Sequence, residues 1–246
     1  IVAILTGVIY LGTPLTQATI MNVNGSIWQN IVNQNFLFNF STMNALIAEI
    51  PKFFREHRAS LYRVDTYFLA RNVIEFPQHT LCAVLFSTIM YWMSGMVARL
   101  DAYLIYVLVS CLMMHLAISF SYLVACIFSH RAVASTVLPI FTIPALAFSG
   151  FYINVATLPI YFLPLRYLSY FSYAYEALAV NQWIHIDTIP GCTASTKKCL
   201  HNGLEVLESL SFHPSNMYTN IFILIGMIVV VRLLAFLALY LRSRKN

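Results

Sequence analysis

The chain has 246 residues, of which 60% are hydrophobic, 15% aromatic and 9% charged, with a net charge of +5. Soluble domains carry about 25% charged residues, so a water-soluble globular domain is excluded, and so is a disordered chain. Lipid is the solvent that fits, and at about 20 apolar residues per span this length holds about five or six spans plus loops.

Residues 1–11 form an apolar run with no Met and no charged stretch before it. This reads as the back half of a first span and not as a signal peptide, so the chain is expected to be a fragment. The span ends near Gly12-Thr13-Pro14, and a polar connection is expected over 15–26. A second span is expected over 27–50. It carries Asn30, Asn33, Gln34, Asn35, Asn39 and Asn44. Amides in hydrocarbon are costly without partners, so this helix is expected to face other helices or a wet cavity.

Residues 51–71 change character, with Lys52, Arg55, Glu56, Arg58, Arg63, Asp65 and Arg71 mixed among Phe53, Phe54, Leu61, Tyr62 and Phe68. That pattern suits an amphipathic helix at a membrane surface or against a protein partner; a solvated basic loop is the plainer reading. Further spans are expected over 66–96, 102–128 and 132–152, the last bent by Pro139 and Pro144. Residues 153–176 are apolar but broken by Pro159 and Pro164, which reads as a re-entrant or interfacial segment. A polar loop over 187–216 and a last span over 217–241 complete the chain.

Lys and Arg set the orientation. Nine of them (Lys52, Arg55, Arg58, Arg63, Arg71, Arg131, Arg242, Arg244, Lys245) fall on one side of this layout and four (Arg99, Arg166, Lys197, Lys198) on the other. The C-terminal tail is therefore expected in the cytosol and the Cys192/Cys199 loop outside or in a lumen. There a disulfide is permitted; zinc with His201 is the other reading. Cys82, Cys111 and Cys126 read as small buried hydrophobes. The sequons Asn24-Gly25-Ser26 and Asn39-Phe40-Ser41 are expected to stay unmodified, the first too near the membrane and the second inside a span.

Four runs carry a family resemblance. The first is Phe54-Arg55-Glu56-His57 through Leu61-Tyr62-Arg63-Val64-Asp65-Thr66-Tyr67-Phe68-Leu69 to Glu75-Phe76-Pro77, with Arg71 where a Lys is usual. The others are Phe148-Ser149-Gly150-Phe151-Tyr152-Ile153-Asn154; Tyr173-Ala174-Tyr175-Glu176-Ala177-Leu178 with Asn181-Gln182-Trp183; and Arg232 to Leu239. Together they resemble, in order and over the whole chain, the permease half of subfamily G of the ABC transporters. The Asn181-Gln182-Trp183 run and the short Cys192–Cys199 loop look closest to the insect eye-pigment-precursor branch.

The resemblance implies an all-α membrane domain of six transmembrane helices over 1–246 (an ABC-2 type permease). It also implies an amphipathic coupling helix over 51–65 and re-entrant helices with an extracytosolic loop over 153–216. Such half-transporters carry an ATPase domain, with ATP and Mg, ahead of the spans and work as homo- or heterodimers in plasma or granule membranes. This chain holds no G-x-x-x-x-G-K-[ST] loop, so that domain is expected upstream. Arg55, Glu56, Arg58 and Arg63 would dock on it.

Gln34, Leu37, Phe38 and Ser41, spaced i, i+3, i+4, i+7, would line a substrate cavity opposite Ile143 and Leu146, with His79 near it; helix-to-helix glue is the plainer role for the amides. Phe151 and Tyr152 would form an outer plug. Glu75, Glu176 and Arg232 read as a structural polar network near the membrane ends. The function implied is ATP-driven movement of small organic molecules, such as guanine- or tryptophan-derived pigment precursors. The alternatives are a sterol or lipid exporter, or a non-transporting receptor or scaffold. There is no H-E-x-x-H, no paired-carboxylate site outside the membrane and no basic, aromatic-interleaved patch for nucleic acid.

Overall fold

The amide-rich stretch is far longer than its pattern suggests. In the computed structural model, which describes residues 1–128, 130–153, 159–192 and 199–245, it forms one 39-residue helix, α2 (Ile20–Arg58). A short α1 (Val2–Ile9) precedes it. Then come α3 (Val64–Met93), α4 (Leu100–Ile127), α5 (Arg131–Ala147), α6 (Leu163–Leu168), α7 (Tyr170–Trp183), α8 (Gly203–Leu210) and α9 (Asn216–Lys245). No strand occurs among the described residues.

Two expectations about α2 are corrected. The polar connection over 15–26 is helical from Ile20 onward, because its polar groups find partners inside the bundle. Asn24 is buried and its Oδ1 accepts from Trp183 Nε1 at 2.8 Å. The separate helix expected over 51–65 is instead the last turns of α2 followed by a turn. Pro51 lies inside the helix, and it removes one backbone donor without ending the element.

The turn at 59–63 is tight. Ser60 takes a left-handed φ of 58°, and Leu61 N donates to Glu56 O at 3.2 Å. Phe53 stacks on Tyr67 at 4.4 Å and on His57 at 5.7 Å, pinning this elbow to the start of α3.

The centre of the bundle is α4, which packs against α2, α3, α5, α7 and α9. Small residues allow this: Ser110, Ala117, Ser119, Ser121 and Ala125 are fully buried and let neighbouring backbones approach. Each serine hydroxyl also bonds within its own helix, for example Ser119 Oγ to His115 O at 2.7 Å. Two apolar clusters stack along the bundle. One joins Trp28, Tyr106, Phe171, Tyr175 and Leu224 towards the end that carries the 187–216 loop. The other joins Met43, Phe53, Tyr122, Leu138 and Leu239 towards the elbow.

Among the described residues three helices are long and apolar enough to cross a membrane: Val64–Met93, Leu100–Ile127 and Asn216–Arg244. The amides of α2 lower its hydropathy, and α5 is only 17 residues long. At 14 residues α7 is about 21 Å long, short of a ~30 Å hydrocarbon core, yet every residue except Tyr173 is buried. It is a short helix wrapped by protein, the one setting in which a broken segment is tolerated at membrane depth. The loop over 187–216 contains α8, capped by Asn202 Oδ1 accepting from Glu205 N at 2.8 Å.

Candidate functional site

The amides of α2 decide where a pathway can run, because most are already committed. Asn30 Nδ2 donates to Ser110 Oγ at 2.8 Å on α4, and Asn35 Nδ2 to Tyr170 Oη at 2.8 Å on α7. Gln34 Nε2 donates to Ser87 Oγ at 3.0 Å and Ala83 O at 3.3 Å on α3. Ser121 Oγ on α4 donates to Asn39 O at 2.8 Å. Each of these contacts ties α2 to a neighbouring helix, the role of polar glue between spans.

Gln34 is therefore not on a cavity surface with Leu37, Phe38 and Ser41. It is fully buried between α2 and α3, whereas Leu37 and Ser41 are exposed and Phe38 is half-buried against His79, ring to ring at 6.0 Å. Spacing placed the four on one stripe, but the covered face of α2 rotates along its length. His79 turns inward, its Nδ1 2.8 Å from Glu75 O. On α5, Ile143 is exposed and Leu146 packs partly into the core.

The half-open face of α2 carries Gln29, Asn33, Phe36, Leu37 and Phe40, at i, i+4, i+7, i+8 and i+11. Gln29 Nε2 donates to Asn33 Oδ1 at 3.3 Å, and Asn33 Nδ2 is buried with no hydrogen-bond partner. Sequence reasoning named Leu37 as a cavity residue but did not group Gln29, Asn33, Phe36 and Phe40 with it. The Gln29/Asn33 spacing was the available signal, but nothing distinguished it from the Asn30/Gln34 pair beside it.

One turn toward the loop end, Trp28 organises an aromatic cap. Phe151 stacks parallel to it at 5.2 Å and 10°, and Tyr152 meets it edge-on at 5.6 Å. Trp28 Nε1 donates to Tyr152 Oη at 3.3 Å, and Phe171 and Tyr175 close the cluster, each 5.7 Å from Trp28. Gly150 makes the turn that delivers the pair, with a φ of 91° that only glycine adopts at little cost. Asn154, in the same run, lies outside the described residues, as do Lys197 and Lys198.

At the elbow Arg55, Glu56, Arg58 and Arg63 are all exposed. Tyr62 donates to Glu56, and desolvation with that carboxylate pushes its hydroxyl to about 12, so it stays protonated at physiological pH. Arg63 pairs with Asp65 at 3.5 Å, an exposed contact of little energetic weight. Deeper in, Arg71 bridges Glu49 and Glu75 (2.7 Å to Glu75), and Tyr122 donates to Glu75. Glu176 accepts from Asn216 Nδ2 at 3.1 Å and His213 N at 3.3 Å, tying α7 to the start of α9. Cys192 and Cys199 are joined as a disulfide. No group of three or more metal-ligating side chains occurs among the described residues.

Burial of Asn24 has a direct consequence. Glycosidase treatment is expected to leave this segment's mass unchanged, and an Asn24→Gln protein should migrate with its parent. Asn24→Leu should cost about 1–3 kcal/mol by orphaning the Trp183 donor, read as a lowered Tm.

A bundle of apolar helices tied by buried amides, with a half-open polar–aromatic face under an aromatic cap, defines a membrane permease. Residues 1–183 match the family model described as ABC-2 type transporter, and the chain belongs to that family. It is similar to the ABC transporter ATP-binding protein/permease wht-1 of Caenorhabditis elegans, with 43% identity over 252 residues, covering 100% of this chain and 38% of that protein. It is 39% identical over 248 residues to protein white of Drosophila melanogaster, covering 100% of this chain and 36% of that protein. Protein scarlet of the same fly is 27% identical over 245 residues, covering 99% and 37%. The chain thus spans under two-fifths of the length of these relatives.

Proposed function

We propose that this chain is the permease part of an ATP-driven half-transporter that moves small, flat organic molecules across a membrane as a homo- or heterodimer. ATP and Mg would be handled by a domain outside this chain. The observation that carries the reading is the half-open face of α2, where Asn33 Nδ2 has no partner and aromatic and aliphatic side chains flank it. A donor left without an acceptor is costly, and once the slit parts a ligand that supplies a carbonyl or ring nitrogen relieves that cost. Leu37, Phe38, Ile143 and Leu146, with the hydroxyl of Ser41, are proposed as the margin of the same slit.

Phe151 and Tyr152, latched on Trp28, would close the slit towards the extracytosolic side. The elbow, with Arg55, Glu56, Arg58 and Arg63, would lie in the cytosol and take the movement of the ATPase domain. The branch resemblance supports pigment precursors of the guanine or tryptophan-derived kind as cargo.

The test is ATP-dependent uptake of guanine, a pterin or kynurenine into vesicles holding the full-length protein and its partner. Asn33→Leu is expected to lower uptake about tenfold, the loss of one hydrogen bond to bound cargo, without changing protein level. Full uptake by that variant removes the slit assignment. The double variant Phe151→Ala/Tyr152→Ala is expected to raise basal ATP hydrolysis or passive leak of loaded cargo. Parent-like values for both rule out a plug.

A further inference from the structure

A second concavity lies on another flank of the bundle, between α3, α4 and α9. Its volume is about 480 Å³, within the range of about 300–1,000 Å³ that holds small ligands. Phe76, Leu104, Leu108, Ile225 and Val229 form its walls, and all five are exposed. Those three helices are the ones long and apolar enough to cross a membrane, so the mouth faces acyl chains and not water. α2 contributes nothing to its lining, which separates it from the slit.

The floor of this groove is polar. Arg232 Nε donates to Ser119 Oγ at 3.1 Å, and Arg232 Nη2 lies 3.4 Å from His115 Nδ1. Arginine has no acceptor, so Nδ1 must accept and His115 carries its proton on Nε2. That Nε2–H lies 2.8 Å from Thr80 Oγ1, whose own hydroxyl donates to Phe76 O at 2.8 Å. The Phe76 ring stacks on His115 at 4.5 Å, covering it. Of the five guanidinium N–H groups of Arg232 two are used; both on Nη1 and the second on Nη2 have no partner among the described residues.

Nor does a counter-ion touch Arg232; the charge of Glu75 reaches it only through space. Among the described residues no carboxylate lies within 4.0 Å of Arg232; Glu75, further toward the elbow, is held by Arg71 and Tyr122. Arg232 stands near the middle of α9, roughly 20 Å or more from each end. A guanidinium at such depth is costly unless it finds an anionic or hydrogen-bonding partner.

We infer that this groove is a lateral site for a single-chain amphiphile with a carboxyl head, of the fatty-acid class. The head would meet Arg232 Nη1, and the chain would run along α4 towards Leu104. The path from His115 to Leu104 is about 16 Å, enough for most of an acyl chain. A phospholipid is disfavoured, because its phosphate sits at the edge of a ~30 Å core and does not reach the midplane. The acid enters and binds uncharged, its carbonyl oxygen accepting from Arg232 Nη1, so no proton has to be released inside the hydrocarbon. The inference does not depend on the cargo of the slit.

The test uses the full-length protein in phosphatidylcholine nanodiscs, a palmitic acid bearing a chain diazirine, and peptide mapping after photolysis. Label is expected on peptides containing 104–112 and 225–229. Oleate should displace it; oleyl alcohol and a sterol should not. Arg232→Gln should reduce labelling by about tenfold or more, the ratio expected for one lost charge-assisted hydrogen bond. Leu108→Trp, which fills the groove and leaves the polar floor intact, should abolish it while the gel-filtration profile stays that of the parent. Equal labelling of parent and Leu108→Trp overturns the site. Equal displacement by the alcohol, or displacement by the sterol, overturns the carboxyl assignment. If Arg232→Gln does not fold, the Leu108→Trp protein and the acid-against-alcohol comparison still decide.

Discussion

Gly203→Ala is expected to prevent the loop-end segment from docking. Gly203 opens α8 against the last turn of α7, and its N donates to Ile186 O at 2.9 Å. A methyl group added there would overlap the Trp183 carbonyl oxygen and lie 2.8 Å from its carbon and 3.1 Å from Ile186 O. All three atoms are backbone, so no side chain can swing aside. Trp183 itself is fully buried and bonded to Asn24, which ties the clash to the core. Overpacking ordinarily costs 1–3 kcal/mol; with two backbones in opposition about 4 kcal/mol or more is expected. Limited proteolysis of the full-length protein should then cut between α8 and α9 at protease levels that spare the parent. Gly226→Ala is the control. It meets nothing within 4 Å and lies inside α9, so it should be neutral or stabilise by up to about 1 kcal/mol. Equal protease resistance of the Gly203→Ala protein and the parent would refute the close approach.

The second large effect is expected at Arg71. Its side chain is 10% exposed and that of Glu75 is 22% exposed, so their 2.7 Å pair is shielded from water; Glu49, at 50%, adds little. Removing one partner of a buried pair leaves the other charge uncompensated, at a cost of about 3–5 kcal/mol. Arg71→Met should therefore lower the yield of folded protein sharply and depress Tm in detergent. Pairing it with Glu75→Leu should recover most of the loss, because an apolar replacement of both partners is tolerated. If the double variant is as unstable as the single one, Arg71 acts through another contact. Arg71→Lys keeps the charge but not the two-pronged reach to Glu49 and Glu75, so an intermediate Tm is expected.

What the sequence made legible follows from what its signals measure. Apolar length is a direct consequence of bilayer thickness, so α3, α4 and α9 were readable to within a few residues at most ends. The same signal failed on α2. Asn22, Asn24 and Ser26 look like a loop when only water is considered as their partner, yet Asn24 meets Trp183, 159 residues away. Pro51 looks like a boundary because it removes a donor, but one missing bond in 39 residues does not end a helix held by neighbours on several sides.

Periodicity identified stripes without saying which stripe is covered, and the Gln34 placement failed for that reason. Both Asn33 and Gln34 are amides in an apolar helix, and only the positions of Ser87 and Ala83 O separate a side chain tied to a neighbouring helix from one tied within its own. Trp28 carried no signal, since a single tryptophan in an apolar run has no period. Its role emerges only when the chain after α5 returns Phe151 and Tyr152 to it.

A backbone ladder with a single gap makes α2 a rod. Between Trp28 and Pro51 no backbone donor is missing, and the one gap falls four residues short of Arg55. Rotation applied at the elbow is thus delivered to the far end as a tilt of the whole shaft. At 1.5 Å per residue the arm from Arg55 to Trp28 is about 40 Å, so a swing of about 5° carries the indole ring by about 3.5 Å. That displacement is comparable to the spacing of stacked rings, enough to part Trp28 from Phe151 once the ties of Asn30, Gln34 and Asn35 to α4, α3 and α7 give way.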